Sequence, residues 1–330
     1  QRTRFMRLKM QDNKTQGIQH HCYSKTYILL EMVKCSTYRE LSFLSGTNRV
    51  RHINAGKLDF LLKNFEAFHF FKKNFNIYYS LAIVRDMPMF SFAPQLRKEQ
   101  QKEFNENFEK RHFAGYDFGL DFDGNKEFDT DLAYLNGEIV RIARRHYGKD
   151  GVESIDILQN GIEKPVNPKE LKDLSKEEMI YRAKKDILKL KKELDSYKIR
   201  YSIKFSGNKG FHLNIPDEVL PDIEPIRKVA ICERMTHEFS KILNIPTIDT
   251  KLMNPRRIWS LPYSLKGENV VLPLDEHQLN NFKIEDMKAL NVLNKVKIMN
   301  RGLIERNNGI SIEEQRKNFQ EMMEEYEVKA

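Results

Sequence analysis

An α+β fold of small mixed sheets flanked by helices is predicted by three observations. Apolar residues recur at helical spacing in several segments and alternate with polar ones in others. The chain, 330 residues at 40% hydrophobic content, is also long enough to bury a large core without disulfides or metal staples.

In chain order, Leu58, Leu61, Leu62, Phe65, Phe68 and Phe71 step at helical spacing between Lys57 and Lys73, and lead into the β-type apolar run Ile77 to Val84. Met87-Pro88 to Pro94 reads as a loop, and Arg97 to Arg111 as a charged helical connection. Tyr116 to Asp123 alternates as a strand. A helix is predicted from Asp131 to Tyr147. Another follows through Met179, Ala183, Ile187, Leu190, Leu194 and Tyr197, with capping-box chemistry at Ser175-Lys-Glu-Glu178. Ile199 to Phe205 and Phe211 to Ile215 alternate on either side of Ser206-Gly-Asn-Lys-Gly210: strand, tight turn, strand. Arg227 to Leu243 is helical through Cys232, Met235, Phe239 and Ile242, which puts His237 on the polar side, and the last 20 residues form an acid-rich helix.

The 56 Lys and Arg against 47 Asp and Glu leave a net charge of +9, which favours polyanionic partners. Cys22, Cys35 and Cys232 make no paired C-x-x-C spacing and suit a reducing compartment. No apolar run approaches the ~20 residues that span a bilayer, and the first residues lack the apolar core of a signal peptide, so a cytosolic protein is expected. Gln1 in place of Met is what a fragment or processed product presents. The first 15 residues carry Arg2, Arg4, Arg7, Lys9 and Lys14 against Asp12, a solvated terminus or a phosphate-contacting edge.

The chemistry begins at Tyr116-Asp-Phe-Gly-Leu-Asp-Phe-Asp123. Alternation places Tyr116, Phe118, Leu120 and Phe122 on one face and Asp117, Gly119, Asp121 and Asp123 on the other. Carboxylates that close repel, and a divalent cation between them relieves the repulsion. Phosphoryl-transfer enzymes use such a pair to hold Mg²⁺ or Mn²⁺. Alone, the motif is more simply a strand whose outer face is acidic because water lies there.

In the Ser206 to Gly210 turn, two glycines let the backbone approach a phosphate, Ser206 adds a hydroxyl, Lys209 a cation and His212 a further donor. Taken alone, the turn fits ordinary hairpin chemistry equally well. Asp249 ends a short apolar run and is followed by Arg256 and Arg257, a third acid with bases that are able to complete an ion cage.

Taken in order, D-x-D at Asp121 and Asp123, S-G-x-x-G-x-H from Ser206 to His212, and the acid at Asp249 resemble the three motifs of the archaeo-eukaryotic primase superfamily. Upstream, Tyr38-Arg-Glu-Leu-Ser-Phe43 resembles its R-E-x-x-F segment, and Val50-Arg51 before Lys57-Leu-Asp-Phe its Arg-containing strand and following helix. Downstream, Leu261-Pro-Tyr-Ser-Leu-Lys-Gly267 and Val270 to Pro273 resemble its L-P-x-S-L-H-G run and the next strand. The likeness spans residues 38 to 275 and is closest to the catalytic small subunit of archaeal and eukaryotic DNA primases.

The resemblance implies a prim-pol core with an RRM-like catalytic palm. It divides the chain into a basic segment at 1–37, a catalytic domain at 38–280 with a helical insertion at 175–198, and a helical extension at 281–330. It implies metal ligation by Asp121, Asp123 and Asp249. It implies nucleotide contacts from Ser206, Gly207, Lys209, His212, Arg39, Arg257 and Lys266. Lys266 stands where the family commonly has His, and Lys209 where Arg is frequent; both keep a cation, and Lys209 lacks the bidentate fork of Arg.

The implied activity is a nucleotidyltransferase, a DNA-directed RNA polymerase of the primase type. It would make short RNA primers on single-stranded DNA from nucleoside triphosphates, in a primosome with a primase large subunit, associated with the nucleoid. A plasmid, viral or repair primase-polymerase using deoxynucleotides shares these motifs, and a non-catalytic single-strand-binding module shares the fold. Family members often carry a zinc knuckle between the first two motifs, but residues 124 to 205 contain no Cys and only His146. The spacing of His20, His21, Cys22 and Cys35 suits tetrahedral zinc poorly.

Overall fold

The computed structural model describes residue 32 and residues 38–45, 48–53, 76–85, 94–148, 151–251, 254–294 and 309–329. The predicted helix at 57–73, most of the loop at 87–94, the basic N-terminus and the His20 to Cys35 group lie outside them, apart from Pro94 itself.

Strands β1 (Arg39–Ser45), β2 (Asn48–Ile53) and β3 (Asn76–Val84) form an antiparallel sheet in the order β2-β1-β3. Helix α1 (Pro94–Asn107) leads through one π-type turn at Phe108–His112 to β4 (Phe113–Tyr116), which pairs with the end of β3. At Asp117 the chain leaves this sheet and enters β5 (Phe118–Asp123), which belongs to another. The predicted alternation holds in β5: Phe118, Leu120 and Phe122 are fully buried, whereas Asp121 and Asp123 are partly exposed.

The expected helix from Asp131 to Tyr147 is replaced by strands. β6 (Lys126–Glu127), β7 (Thr130–Leu135), β8 (Glu138–Gly148), β9 (Gly151–Gln159) and β10 (Ile162–Val166) make a meander around the small core of Val140, Ile155 and Ile157. Two Asn-Gly pairs decide it. Asn136-Gly137 and Asn160-Gly161 all have positive φ, +52°, +88°, +54° and +77°, the left-handed conformation that two-residue hairpin turns demand. Leu135 therefore faces Glu138 and Gln159 faces Ile162 across the turns.

Helix α2 (Lys176–Ser196) starts where its cap predicts, with the Glu178 N–H donating to the Ser175 hydroxyl at 3.1 Å. Strands β11 (Ser202–Phe205) and β12 (Gly210–Ile215) follow, then α3 (Pro225–Ile242), with Cys232 and Met235 buried and His237 exposed. Burial pushes the Cys232 thiol well above its usual range, as suits an inert residue. Strand β13 (Ile258–Ser260) joins β3, and short strands β14 (Leu265–Lys266), β15 (Asn269–Val270) and β16 (Pro273–Leu274) precede helices α4 (Glu276–Asn280), α5 (Ala289–Asn294) and α6 (Ile312–Glu325).

The second sheet runs β16-β11-β12-β5, and every strand pair among the described residues is antiparallel, so the sheets are small but not mixed. One large core backs this sheet. Ile180, Ala183, Ile187, Leu190 and Leu194 of α2, Phe239 of α3 and Phe319 of α6 are all buried in it. Phe239 stacks on Phe118 and Phe319 meets it edge-on, with centroids 6.1 and 6.4 Å away. The helices at 175–198 and near the C-terminus are therefore structural walls of the acid strand's sheet. Among the described residues no helix is long and apolar enough to cross a membrane.

Candidate active site

Sheet pairing brings the motifs together. On β12 and β5, His212 stands opposite Asp121 and Gly210 opposite Asp123. The Ser206 N–H donates to the Gly210 carbonyl at 3.0 Å and closes the turn, while Gly207 takes φ +90°. A Cβ at Gly210 would lie 1.8 Å from the Phe122 carbonyl oxygen, so only glycine permits this approach.

The third acid arrives at the other edge of β5. The Asp123 N–H donates to the Thr247 carbonyl at 2.8 Å and the Asp249 N–H to the Asp121 carbonyl at 2.9 Å, with Ile248 bridged to Phe122. Helix α2 anchors this segment: the Thr247 N–H and hydroxyl both donate to buried Asp186, at 3.1 and 2.8 Å.

Cations surround the acids. Arg257 lies 3.8 Å from Asp121, Lys209 3.4 Å from Asp123, and Lys126 2.6 Å from Asp249. The stem of Lys266 packs against Gly207 of the turn. Burial, reinforced by the Asp123 charge, pushes the Asp121 carboxyl up to about 7; Arg257 pulls it down, Asp249 raises it and Lys266 lowers it again. Burial also lowers the Lys266 ammonium, with Asp121 and Asp123 opposing and Lys209 adding. For Lys126, burial pulls the ammonium down, but its hydrogen bond to Asp249 and the three acid charges outweigh that and hold it above the usual lysine range.

His212 is buried and stacks on Trp259, with centroids 4.5 Å apart. Burial lowers it well below the usual histidine range, with Lys204, Lys266 and Arg257 adding, so it is a neutral imidazole at neutral pH. Its Nε2 lies 3.4 Å from Asp121 Oδ1. This gives His212 a candidate task beside phosphate contact, that of orienting Asp121.

The fit to a divalent cation is uneven. Asp121 Oδ1 is buried without a hydrogen-bond partner among the described residues, as an oxygen kept for an ion would be. Asp249 is instead engaged on both oxygens, Oδ2 by Lys126 and Oδ1 by the Lys251 N–H at 3.1 Å. Among the described residues no three His, Cys, Asp or Glu side chains are gathered as a ready metal-binding group. Asp121 and Asp123 keep the more open oxygens, with Lys209 3.4 Å from Asp123, whereas both oxygens of Asp249 are engaged.

Arg39, expected as a nucleotide contact, is not brought to the acids. Its guanidinium donates to the Leu81 carbonyl at 2.5 Å and to Asp117 at 2.6 Å. Asp117 also accepts from the Asp217 N–H and from Asn214, so this pair holds the junction between β4 and β5. Arg256 likewise turns away, pairing with Glu40 at 3.0 Å over the Phe108 ring, while its neighbour Arg257 faces the site. Lys126, Asp186 and Trp259 were missed from sequence. Only Lys126 had a local signal, a cation three residues past Asp123 beyond a Gly-Asn turn.

No family model matches the chain, and no curated protein does. Among solved structures it is similar to the polymerase domain from Mycobacterium tuberculosis ligase D in complex with DNA, at 10% identity over 86% of this chain and 88% of that one, with a TM-score of 0.46.

Proposed function

We propose that the chain is a nucleotidyltransferase that extends a nucleic-acid strand on a single-stranded template. The carrying observation is the pairing of the Ser206 to Gly210 turn directly with the acid strand, with Asp249 on that strand's other edge. Such an arrangement places a phosphate-sized turn next to oxygens suited to a cation.

In this reading a 3′-hydroxyl attacks the α-phosphorus of a nucleoside triphosphate, a P–O bond forms, and pyrophosphate leaves. Divalent ions held by Asp121 and Asp123, with Asp249, would supply activation of the hydroxyl and stabilisation of the leaving group. Lys209, Lys266 and Arg257 hold the triphosphate by charge, and the Gly207 backbone lets it approach. His212, kept neutral, fixes the position of Asp121. No protein nucleophile is needed.

The finer assignment is a primase catalytic subunit, making RNA primers on single-stranded DNA in a heterodimer with a large subunit. The motif set of Asp121, Asp123, Ser206 to His212 and Asp249 supports it. Label incorporation on a single-stranded template, with ribo- and deoxynucleotides supplied separately in Mg²⁺ or Mn²⁺, tests it. Ribonucleotide primers made de novo support the primase, deoxynucleotide products the repair or plasmid type of primase-polymerase, and template binding without incorporation contradicts catalysis.

A further inference from the structure

Asp121 and Asp249 are adjacent through a backbone hydrogen bond, yet their carboxylates are in opposite conditions. Asp121 Oδ1 accepts no hydrogen bond among the described residues, with neutral His212 3.4 Å away, whereas both oxygens of Asp249 are hydrogen-bonded. What takes Asp249 Oδ2 is an ammonium, and its position is built rather than casual.

Lys126 sits at the start of a short hairpin, facing Asp131, and the chain is pinned on both sides of it. Arg182 of α2 donates to the Gly124 carbonyl at 3.2 Å, the Leu132 N–H to the Asn125 carbonyl at 2.8 Å, and the Phe128 N–H to the Pro246 carbonyl at 2.8 Å. A Cβ at Gly124 would lie 1.7 Å from the Met179 carbonyl oxygen, so α2 presses directly on this turn. Glu127, next along, is tied to Arg141 and Arg182. The Lys126 side chain is one-fifth exposed, so it has water to move into, whereas Asp249 is 5% exposed.

Resting on the metal-site reading given above, we propose that Lys126 is a tethered cation that closes the Asp249 arm of the site. The resting protein takes one divalent ion, at Asp121 and Asp123, and takes a second only when Lys126 swings off Asp249. The physical reason is exclusion. An ammonium at 2.6 Å occupies the oxygen a metal would use, and its charge repels a divalent ion brought to the same carboxylate. Arrival of a triphosphate offers Lys126 another anion and frees Asp249, which couples assembly of the two-ion site to substrate.

The test is titration of the full chain with Mn²⁺ alone, free ion being followed by electron paramagnetic resonance, for wild type, Lys126→Met and Lys126→Arg. Wild type should bind one ion tightly and a second at least about tenfold more weakly. Lys126→Met should tighten the second by about tenfold or more, the scale of a charge-assisted hydrogen bond, and leave the first within about threefold. Lys126→Arg, which keeps the cation, should resemble wild type. Lys126→Gln replaces Lys126→Met if the latter fails to fold. Equal stoichiometry and affinity in wild type and Lys126→Met would overturn the tethered-cation role while leaving the metal reading intact. No bound Mn²⁺ in either would overturn the metal reading itself.

Discussion

His212 and Asp121 face each other across β12 and β5 with Nε2 3.4 Å from Oδ1, a neutral imidazole against a carboxyl that burial has made reluctant to ionise. The contact joins the second sequence motif to the first.

Without metal, Asp121 titrates at about 7 in the folded protein, raised by burial first and the Asp123 charge second, against 3.8 for an ordinary aspartate. Between those values the folded state holds a proton the unfolded chain has released. The stability this brings is complete below about pH 4 and is lost as pH rises through 7. In a chelator, the melting temperature of Asp121→Asn should therefore rise relative to wild type across this window, and Mn²⁺ should restore wild type at pH 7. A pH-independent difference would contradict the burial of this carboxyl.

Arg39→Ala should destabilise the fold by about 3 kcal/mol, because it strands Asp117 in the interior. Denaturant unfolding measures the loss. The Mn²⁺ affinity of the folded fraction should be unchanged, whereas a nucleotide-binding role for Arg39 would show as a raised KM with stability intact.

Asp186→Ala removes the anchor of Thr247 and should cost about 2 kcal/mol. Since Thr247 leads the chain to Asp249, it should also weaken binding of the second Mn²⁺ more than the first. Loss of stability with both ions bound as in wild type would confine Asp186 to a packing role.

Lys209 lies at the turn 3.4 Å from Asp123 and is partly exposed to incoming ligand. Lys209→Ala should raise the apparent KM for nucleotide by about tenfold with a smaller change in kcat, the scale expected for one lost charge-assisted contact. Steady-state incorporation kinetics decide it, and an unchanged KM would remove Lys209 from the triphosphate site.

Gly210→Ala should be poorly tolerated, costing at least about 2 kcal/mol, because its new methyl meets backbone and not a side chain that is free to move. Thermal unfolding checks this directly, and a wild-type melting temperature would mean that β5 and β12 separate more easily than their register implies.

The sequence carried the acid strand, the turn and the helices of α2 and α3 in plain form, since each follows from periodicity within a dozen residues. Asp121 and Asp123 on the partly exposed face, and Ser175 as a cap, needed no knowledge of distant chain. Strands fill the stretch expected as a helix from Asp131 to Tyr147 because Leu132, Leu135, Ile139 and Ile142 step by three and four, as one helical face would. The two Asn-Gly turns were the deciding signal. Arg39, Arg256 and Arg257 look alike in sequence; only long-range packing shows that Asp117 takes the first, Glu40 the second, and that the third alone meets Asp121. Lys126 and Asp186 act on Asp249 and Thr247 across 123 and 61 residues, separations that no local pattern encodes.

The central claim, that Asp121 and Asp123 with the turn opposite them form a nucleotidyl-transfer site, is tested most directly by label incorporation on a single-stranded template in Mn²⁺. Wild type is compared with the folded double variant Asp121→Asn, Asp123→Asn. The wild-type protein should incorporate nucleotide, and the double variant should fall by at least about a thousandfold while still binding template. Incorporation by the double variant at the wild-type rate would contradict the claim.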